Sequence, residues 1–281
     1  MGTLGVSDAG GARLRAIREA KGKTQLWVEL EAELGTGYLQ RVESGRVALP
    51  GHAILERVLT ALGASYSEKC DVLERFGYAV STEPPNADEV TWAREFCRRE
   101  LDDAPFPAYA LDCTHRIIAW NAQTPRLFGL MPSDPTLGRL VGQSVLAAWF
   151  DGASPLSRLV AEPDAFMPAL IRAFRSEMKP YQAEPWCQAE LKRLFTLPRF
   201  RHYWAQQEHP SPQVSAARAL VPVRLRVPGA GLLQFRLSAE HIVDDARFRL
   251  IYFFPADLAT MQWCTEGAQL EPVRQASDVE D

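Results

Sequence analysis

The sequence predicts an α+β chain of two domains: an all-α domain of five helices, then an α+β domain with a five-stranded antiparallel sheet. The chain has 281 residues, more than the ~100–200 of a typical single domain. Residues 12–78 carry apolar residues at helical spacing, whereas later segments alternate with the period of two that marks strands. Between the two regions, STEPPNAD at 81–88 contains two adjacent prolines, which cannot continue a helix.

Composition and charge indicate a globular protein and limit how it can contact nucleic acids and membranes. Apolar residues make up 47% of the chain, enough for two hydrophobic cores. The net charge is −4, so contact with nucleic acid requires a local basic patch. No apolar run reaches the ~18–20 residues of a membrane helix, and the N-terminus lacks the apolar region of a secretory signal. We therefore expect a cytoplasmic protein that does not enter a membrane.

The five cysteines are scattered along the chain and form no C-x-x-C pair. This spacing predicts free thiols in or near the cores, and neither a zinc site nor a redox dithiol. We expect no metal and no cofactor.

The first domain is predicted to span residues 12–78, after a disordered stretch at 1–11. Leu14 and Ile17 lie three apart on its first helix, and Thr24 is a suitable N-cap for the second. A longer amphipathic helix carries apolar residues from Ile54 to Leu62. A fifth helix follows with the sequence SEKCDVLERFGY.

The second domain is predicted at 88–264, after a linker at 79–87 and before a disordered tail at 265–281. Its opening, AYALDCTHRIIAWN, predicts two short strands around a Cys-Thr-His turn. A mostly helical middle follows, over roughly 122–208. Three further strands are predicted in ARALVPVRLRV, GLLQFRLSAEHI and RFRLIYFFP, the first with apolar residues alternating with arginines. The helical middle is expected to pack over one face of the resulting sheet.

The stretch GTGYLQRVESG at 35–45 predicts the second helix of a helix-turn-helix. Leu39 and Val42 are its apolar anchors, and the opposite face is free to enter the major groove of double-stranded DNA. Over residues 11–62 there are eight Lys and Arg against six Glu, a weakly basic balance. Arginine bonds bidentately to guanine, threonine contacts the thymine methyl group, and Gln25 is placed to bond a phosphate. The predicted DNA contacts are Gln25, Thr36, Gly37, Tyr38, Gln40, Arg41 and Arg46.

This region resembles the Cro/C1-type (Xre) helix-turn-helix family, which reads T-Q … Y-L-S-x-I-E-x-G before a helix ending in A-x-x-L-G. The resemblance covers about residues 12–64. Two positions depart from the family pattern: Glu29 stands where the second helix usually has a small alanine, and Glu33 where the turn usually has glycine. We expect their bulk to alter the turn slightly.

The larger domain opens like a PAS domain, with two strands followed by a helix. Three segments, AEPDAFMPALIRAFRSEM, LKRLFTLPRFRHYWAQQEH and FRLIYFFPAD, resemble the ligand-binding domain of the MmyB-like transcription regulators. Phe200-Arg201, Trp204 and Pro255 match that family's motif, and His209 lies about one position late. The resemblance implies a DNA-binding domain paired with a PAS-like domain that binds an effector.

The predicted effector is a small apolar acid, fatty-acid-like, held in a concave, mostly apolar cavity over the sheet. We expect a homodimer that presents two recognition helices to half-sites one helical turn apart. The candidate ligand contacts are seven aromatic residues and two polar residues for the acid group: Trp120, Phe128, Trp149, Phe174, Trp204, Phe235 and Tyr252, with Arg201 and His202.

Three other readings remain open at this stage. An enzyme is disfavoured because H-E-x-x-H, G-x-S-x-G, P-loop and G-x-G-x-x-G motifs are missing from the sequence. A PAS sensor with a flavin or haem chromophore is possible, and visible absorbance distinguishes it. The third is a ligand-free PAS-like dimerisation module, in which no small molecule changes DNA affinity.

Overall fold

The computed structural model describes residues 6–78, 80, 83–131, 134, 137–206 and 221–267. The chain divides into two compact units. Unit 1 comprises Met1–Thr82 with Val243–Ala246, and unit 2 comprises Glu83–Ile242 with Arg247–Asp281. The first division falls inside the stretch that the sequence predicts as a linker.

Unit 1 contains the five predicted helices. They are α1 (Val6–Ala20), α2 (Gln25–Glu31), α3 (Tyr38–Glu43), α4 (His52–Ala61) and α5 (Tyr66–Arg75). Side chains start two of them: Thr24 accepts a hydrogen bond from the Trp27 N–H, and Ser65 with Glu68 forms a capping box. The apolar faces of the helices meet in one core, which includes Leu14, Ile17, Val28, Leu39, Val42, Leu55, Leu59 and Val72.

The first helix corrects one expectation. It begins at Val6, inside the glycine-containing stretch 1–11 that was predicted to be disordered; residues 1–5 lie outside the described part of the chain. A side chain at Gly11 would overlap the carbonyl oxygen of Val42. The glycine therefore allows close helix packing in this place, which composition alone does not reveal.

Unit 2 is built on a five-stranded antiparallel sheet, as the sequence predicts. The strands are β1 (Ala108–Asp112), β2 (Ile117–Trp120), β3 (Val221–Val227), β4 (Gly231–His241) and β5 (Phe248–Pro255). Their order in the sheet is β2-β1-β5-β4-β3. The last strand thus lies between the first hairpin and the β3–β4 hairpin.

The helices of unit 2 are α6 (Ala87–Asp103), α7 (Gln123–Arg126), α8 (Val145–Phe150), α9 (Pro155–Leu159), α10 (Pro163–Met178), α11 (Pro185–Leu194), α12 (Pro198–Ala205) and α13 (Leu258–Gly267). Proline stands at the start of α9, α10, α11 and α12. Its fixed φ and missing N–H suit the first position of a helix. No helix in the described residues is long and apolar enough to cross a membrane.

The sheet has two covered faces. One face packs against the helical middle in a large core that includes Trp149, Phe166 and Phe200. The other face packs against α6 in a separate cluster that includes Ala93, Cys97 and Leu101. The sequence indicates cover on one face only. The second cover explains why every residue of β1 is buried.

The end of the chain also differs from expectation. The last helix continues to Gly267, so residues 265–267 are helical although they were predicted to belong to a disordered tail. The remaining tail, 268–281, lies outside the described residues.

Candidate DNA-binding surface and ligand cavity

Helix α3, the predicted recognition helix, is short and has one buried and one exposed face. Leu39 and Val42 are buried. Thr36, Gln40 and Arg41 are exposed. The helix starts from Gly37, which has a left-handed φ of 80°, a conformation that glycine adopts without strain.

Glu29 holds the start of α3. One of its carboxylate oxygens accepts a hydrogen bond from the Gly37 N–H at 3.0 Å, and the other from the Leu39 N–H at 2.8 Å. The first N–H groups of a helix have no partner within the helix, so a buried carboxylate from α2 satisfies two of them. The residue that departs from the Xre pattern is therefore a cap for the recognition helix.

The end of α3 is held by a buried ion pair. Arg18 donates from Nε to one oxygen of Glu43 at 2.7 Å, and from Nη2 to the other at 2.9 Å. Its Nη1 donates to the carbonyl of Lys23 at 2.8 Å. Gln25 adds a hydrogen bond from its side-chain amide to Glu43 at 2.7 Å. Helices α1, α2 and α3 are thereby fixed to one another.

The turn between α2 and α3 contains the second departure from the Xre pattern. Glu33 has a φ of 53°, a left-handed backbone conformation in which glycine is the least strained residue. Its side chain is exposed. The turn therefore places a non-glycine residue in a left-handed conformation, which carries a backbone cost. Whether the bulk of Glu33 alters the turn slightly relative to the Xre pattern stays a prediction.

Unit 2 contains a cavity of about 420 Å³ between the sheet and the helices that follow β2. This lies within the range of about 300–1,000 Å³ that is usual for small-molecule sites. The lining is overwhelmingly apolar; it comprises Tyr109, Ile117, Trp120, Thr124, Pro125, Leu127, Phe128, Leu130, Leu137, Leu140, Val145, Ala148, Ser154, Pro155, Leu156 and Phe253. Such a lining binds an apolar body.

The described lining of this cavity includes no charged side chain. The hydroxyl of Thr124 donates to the carbonyl of Ala108 at 2.8 Å and is already committed. Burial raises the pKa of Tyr109, which therefore stays a neutral hydroxyl. The described walls of the large cavity thus offer shape and apolar contact, but no counter-charge.

A second, smaller cavity of about 70 Å³ lies beside it, with Tyr109 and Val145 lining both. Its lining includes the charged cluster of His115, Glu177 and Arg249. One oxygen of Glu177, Oε2, accepts from Arg249 Nη1 at 3.0 Å and bonds His115 Nε2 at 3.1 Å. Three side chains from the first hairpin, α10 and β5 therefore meet at one carboxylate oxygen.

The hairpin turn places His115 in this cluster. Asp112 accepts hydrogen bonds from the N–H and hydroxyl of Thr114 and from the N–H of Arg116. His115 itself has a φ of 64°. The side-chain turn of Asp112 closes the hairpin and holds the histidine in this left-handed conformation.

The environment sets the protonation of the cluster. Burial would raise the pKa of Glu177, but Arg249 and His115 outweigh it and lower that pKa to about 2. Burial, helped by Arg249, lowers the pKa of His115. At neutral pH the cluster is an ionised carboxylate, a guanidinium and a neutral imidazole that donates from Nε2 to the carboxylate.

Two family matches cover most of the chain. A helix-turn-helix domain family matches residues 11–69. The MmyB-like transcription regulator ligand binding domain matches residues 93–265, which is more than half of the chain. The chain belongs to the MmyB-like transcription regulators. It therefore pairs a DNA-binding domain with a small-molecule-binding domain, and both matched families are regulator domains.

No curated protein matches this MmyB-like regulator. Among solved structures, an RNA-binding Light-Oxygen-Voltage receptor is similar at 12% sequence identity and a TM-score of 0.25. The match covers 93% of this chain and 62% of that one. A likeness at this level carries no argument about fold or function.

The residues predicted to contact DNA lie on or beside α3, with one qualification. Thr36, Gln40, Arg41 and Arg46 are exposed, and Gly37 and Tyr38 are half-buried. The amide of Gln25 instead bonds Glu43, so its visible role in the MmyB-like regulator is to orient α3. Its phosphate contact stays a prediction.

The residues predicted to contact the ligand do not share one cavity. Trp120 and Phe128 line the large cavity, and Trp149 and Phe174 line the small one. Phe235 lies in the core and borders a third pocket, over β3 and β4.

The remaining predicted ligand residues line neither the large nor the small cavity. Arg201 and His202 are exposed, and Arg201 donates to the carbonyl of Phe195. Trp204 stacks on Phe200 and on the guanidinium of Arg175. Tyr252 faces α6, with its hydroxyl 3.3 Å from Glu100. Because successive side chains of a strand face opposite sides of the sheet, its neighbour Phe253 lines the large cavity instead. His209 lies outside the described residues.

The predicted site residues do not include the cap of α3 or the charged cluster of the small cavity. Glu29 was noticed only as a departure, and His115, Glu177 and Arg249 were not singled out. Arg249 interrupts an otherwise apolar strand, and a charge at a buried strand position is a signal that could have been used. Nothing local marks His115 or Glu177 as its partners.

Proposed function

We propose that this regulator binds a specific double-stranded DNA sequence as a homodimer, with α3 of each copy in the major groove. Half-sites one helical turn apart are the spacing that two-fold related helix-turn-helix domains require. The exposed, short α3 supports this proposal, since both of its ends are fixed by buried carboxylates. A rigidly held helix brings its side chains to the base edges in one register.

Arg41 is the side chain that we assign to base reading. It is exposed on α3, beside the ring of Tyr38. Arg41→Ala should cost about 1–3 kcal/mol of binding free energy on the cognate site and relax sequence preference at one base pair. Fluorescence anisotropy with cognate and single-substituted duplexes measures this. An equal loss on every duplex would make Arg41 a phosphate contact.

We propose that the effector is a fatty acid or a related lipid-like acid with its chain in the large cavity. The observation that carries the proposal is the 420 Å³ volume with an almost wholly apolar lining. Burying apolar ligand surface contributes about 25 cal/mol per Å² before the costs of association. A chain of methylene groups gains most from such a lining.

Filling the cavity tests this assignment. Ala148 lines the cavity and Ala189 is exposed on α11, so Ala148→Phe and Ala189→Phe make the same chemical change inside and outside the site. Decanoic acid should raise the melting temperature of the wild type and of Ala189→Phe, but not of Ala148→Phe. Native mass spectrometry of purified protein should show a lipid mass. Wild-type melting that ignores fatty acids would contradict the proposal.

The two alternative roles give different results in the same samples. Purified protein with visible absorbance would identify a chromophore-binding PAS sensor. A dimer whose DNA affinity ignores every added lipid would identify a dimerisation module. For a ligand-controlled regulator, linkage requires the acid to change DNA affinity by the same factor by which DNA changes acid affinity. Titrating each ligand at saturating amounts of the other checks this equality.

A further inference from the structure

Arg249 has more hydrogen-bonding capacity than its surroundings use. Its side chain is 5% exposed, and Nη1 pairs with Glu177. Its Nε and Nη2 have no hydrogen-bond partner among the described residues. A buried charged donor without a hydrogen bond destabilises the folded protein, so two such donors on one guanidinium require an explanation.

The two unused donors form one edge of the guanidinium. Nε–H and the adjacent Nη2–H point in the same direction, and their spacing matches the two oxygens of a carboxylate. Nη1, which pairs with Glu177, lies on the other side. Glu177 therefore fixes the orientation of Arg249 without occupying its bidentate edge.

The location of Arg249 links this edge to the ligand cavity. It stands opposite Leu111 in the β1–β5 pairing, two residues before Ile251 and four before Phe253, on the sheet face that the helical middle covers. Arg249 lines the small cavity, which adjoins the large one through Tyr109 and Val145. The small cavity has a volume of about 70 Å³, well above the ~10–15 Å³ that one water requires, so it has room for a carboxylate group.

We propose that the Nε–Nη2 edge of Arg249 binds the carboxylate of the effector, while the apolar chain occupies the large cavity. This rests on the function proposed above and supplies what the large cavity lacks, a counter-charge for an acid. Tyr109 and Val145, which line both cavities, mark where the chain passes from one to the other. Glu177 and His115 act as positioning residues that hold the guanidinium.

If the cluster of His115, Glu177 and Arg249 has only a structural role, a different result is expected. If the two donors only hold water, the head group of the ligand has no effect on affinity. The test therefore compares decanoic acid with 1-decanol, which have the same chain length, at pH 7 by isothermal titration calorimetry. The wild type should bind the acid at least about tenfold more tightly, since hydrogen bonds between charged groups are the strong ones.

Variants assign the preference to Arg249. In Arg249→Gln the acid should lose about tenfold in affinity while the alcohol changes little. Glu177→Gln keeps a side-chain oxygen that accepts from Nη1, so Arg249 stays oriented, and the loss of the nearby negative charge should tighten acid binding. Arg226→Gln, at an exposed arginine of β3, is the matched control and should keep the wild-type preference. Thermal melting checks that each variant is folded.

The outcomes separate the two proposals. Equal affinity of the wild type for acid and alcohol, or an acid preference that survives in Arg249→Gln, would overturn the Arg249 anchor and leave the apolar site standing. Binding of neither compound would overturn the lipid-binding function itself. The comparison of acid and alcohol binding to the wild type needs no variant, so it tests the need for an acid group even if Arg249→Gln does not fold.

Discussion

Two buried Arg–Glu pairs, one in each unit, differ in how completely their hydrogen bonds are made. Arg18 uses all three guanidinium nitrogens, two on Glu43 and one on the carbonyl of Lys23. Within the described part of the chain, Arg249 uses one, on Glu177. Both arginines are almost wholly buried, so solvent does not account for the difference.

The comparison suggests two different roles for a buried ion pair, the second of which rests on the anchor proposed for Arg249. A fully bonded pair is rigid, because each donor nitrogen has its own acceptor. The Arg18–Glu43 pair fixes α3 in this way. A partly bonded pair leaves charged hydrogen-bond donors directed at an adjoining cavity. In the proposed role, a ligand accepts the hydrogen bonds that the protein does not make. The two arginines are similarly buried and differ in the number of hydrogen bonds left unmade among the described residues.

The largest effect is expected at the fully bonded pair. Arg18→Gln leaves Glu43, whose side chain is 3% exposed, without its counter-charge. Breaking a buried pair in this way costs about 3–5 kcal/mol of stability. Urea denaturation should show a loss of this size, and DNA binding should fall with it because α3 is no longer held.

The control for this variant lies one turn earlier on the same helix. Arg15 pairs with Glu19 on the exposed surface, where ion pairs contribute little. Arg15→Gln should therefore denature close to the wild type. If both variants lost the same stability, the Arg18–Glu43 pair would not be the fixed point that its geometry indicates.

A smaller effect is expected at the cap of the recognition helix. Glu29→Ala removes the acceptor for the N–H groups of Gly37 and Leu39 and should cost about 1.5–3 kcal/mol. Glu29→Gln keeps one oxygen and should fall between it and the wild type. Glu31→Ala, on the exposed side of the same helix, should match the wild type in urea denaturation. A harmless Glu29→Ala would mean that α3 needs no cap from α2.

The smallest effect concerns the partly bonded pair and is a change with pH. The pKa of His115 is lowered by burial and by Arg249, so below pH 6.5 the unfolded chain takes up a proton that the native cluster resists. Stability is then fully present above pH 6.5 and falls as the pH falls. Asn suits the left-handed backbone of this position, so His115→Asn should fold and lose part of this dependence.

Urea denaturation at pH 7.5 and 5.5 measures that change. His241, whose pKa is also lowered by burial and by Arg249, should leave a residual pH dependence in the Asn variant. Glu177 contributes only at lower pH, because its stabilisation is lost as the pH falls from about 4.5 toward 2. Identical pH dependence in wild type and His115→Asn would show that the histidine does not titrate on unfolding.

Several elements were predicted from short-range patterns, and they are confirmed. The five helices of unit 1, the Cys-Thr-His hairpin turn and the five antiparallel strands all follow from local periodicity and turn residues. The inward Leu39 and Val42 follow from helical spacing. The family resemblance, confirmed over 11–69 and 93–265, identified the kind of protein.

The residues of the ligand site were predicted less well, for a physical reason. Tyr252 was predicted as a ligand contact because it is aromatic. In the pleated strand β5 its side chain faces α6, and the side chain of the next residue, Phe253, faces the cavity. Arg201 has a family motif, yet it points to solvent. A one-residue change in strand position exchanges the two faces of a sheet, and composition does not carry that information.

The sequence by itself determined which segments form most helices and strands and which residues of α3 face inward, because both depend on neighbours within a few turns. Its motifs also identified the family. Only the tertiary structure decided that Glu29 caps α3 and that His115, Glu177 and Arg249 meet. The latter three are brought together by the β1–β5 pairing and by the packing of α10 on the sheet face. Contacts between residues so far apart in the chain arise only when the sheet register and the helix packing are set together.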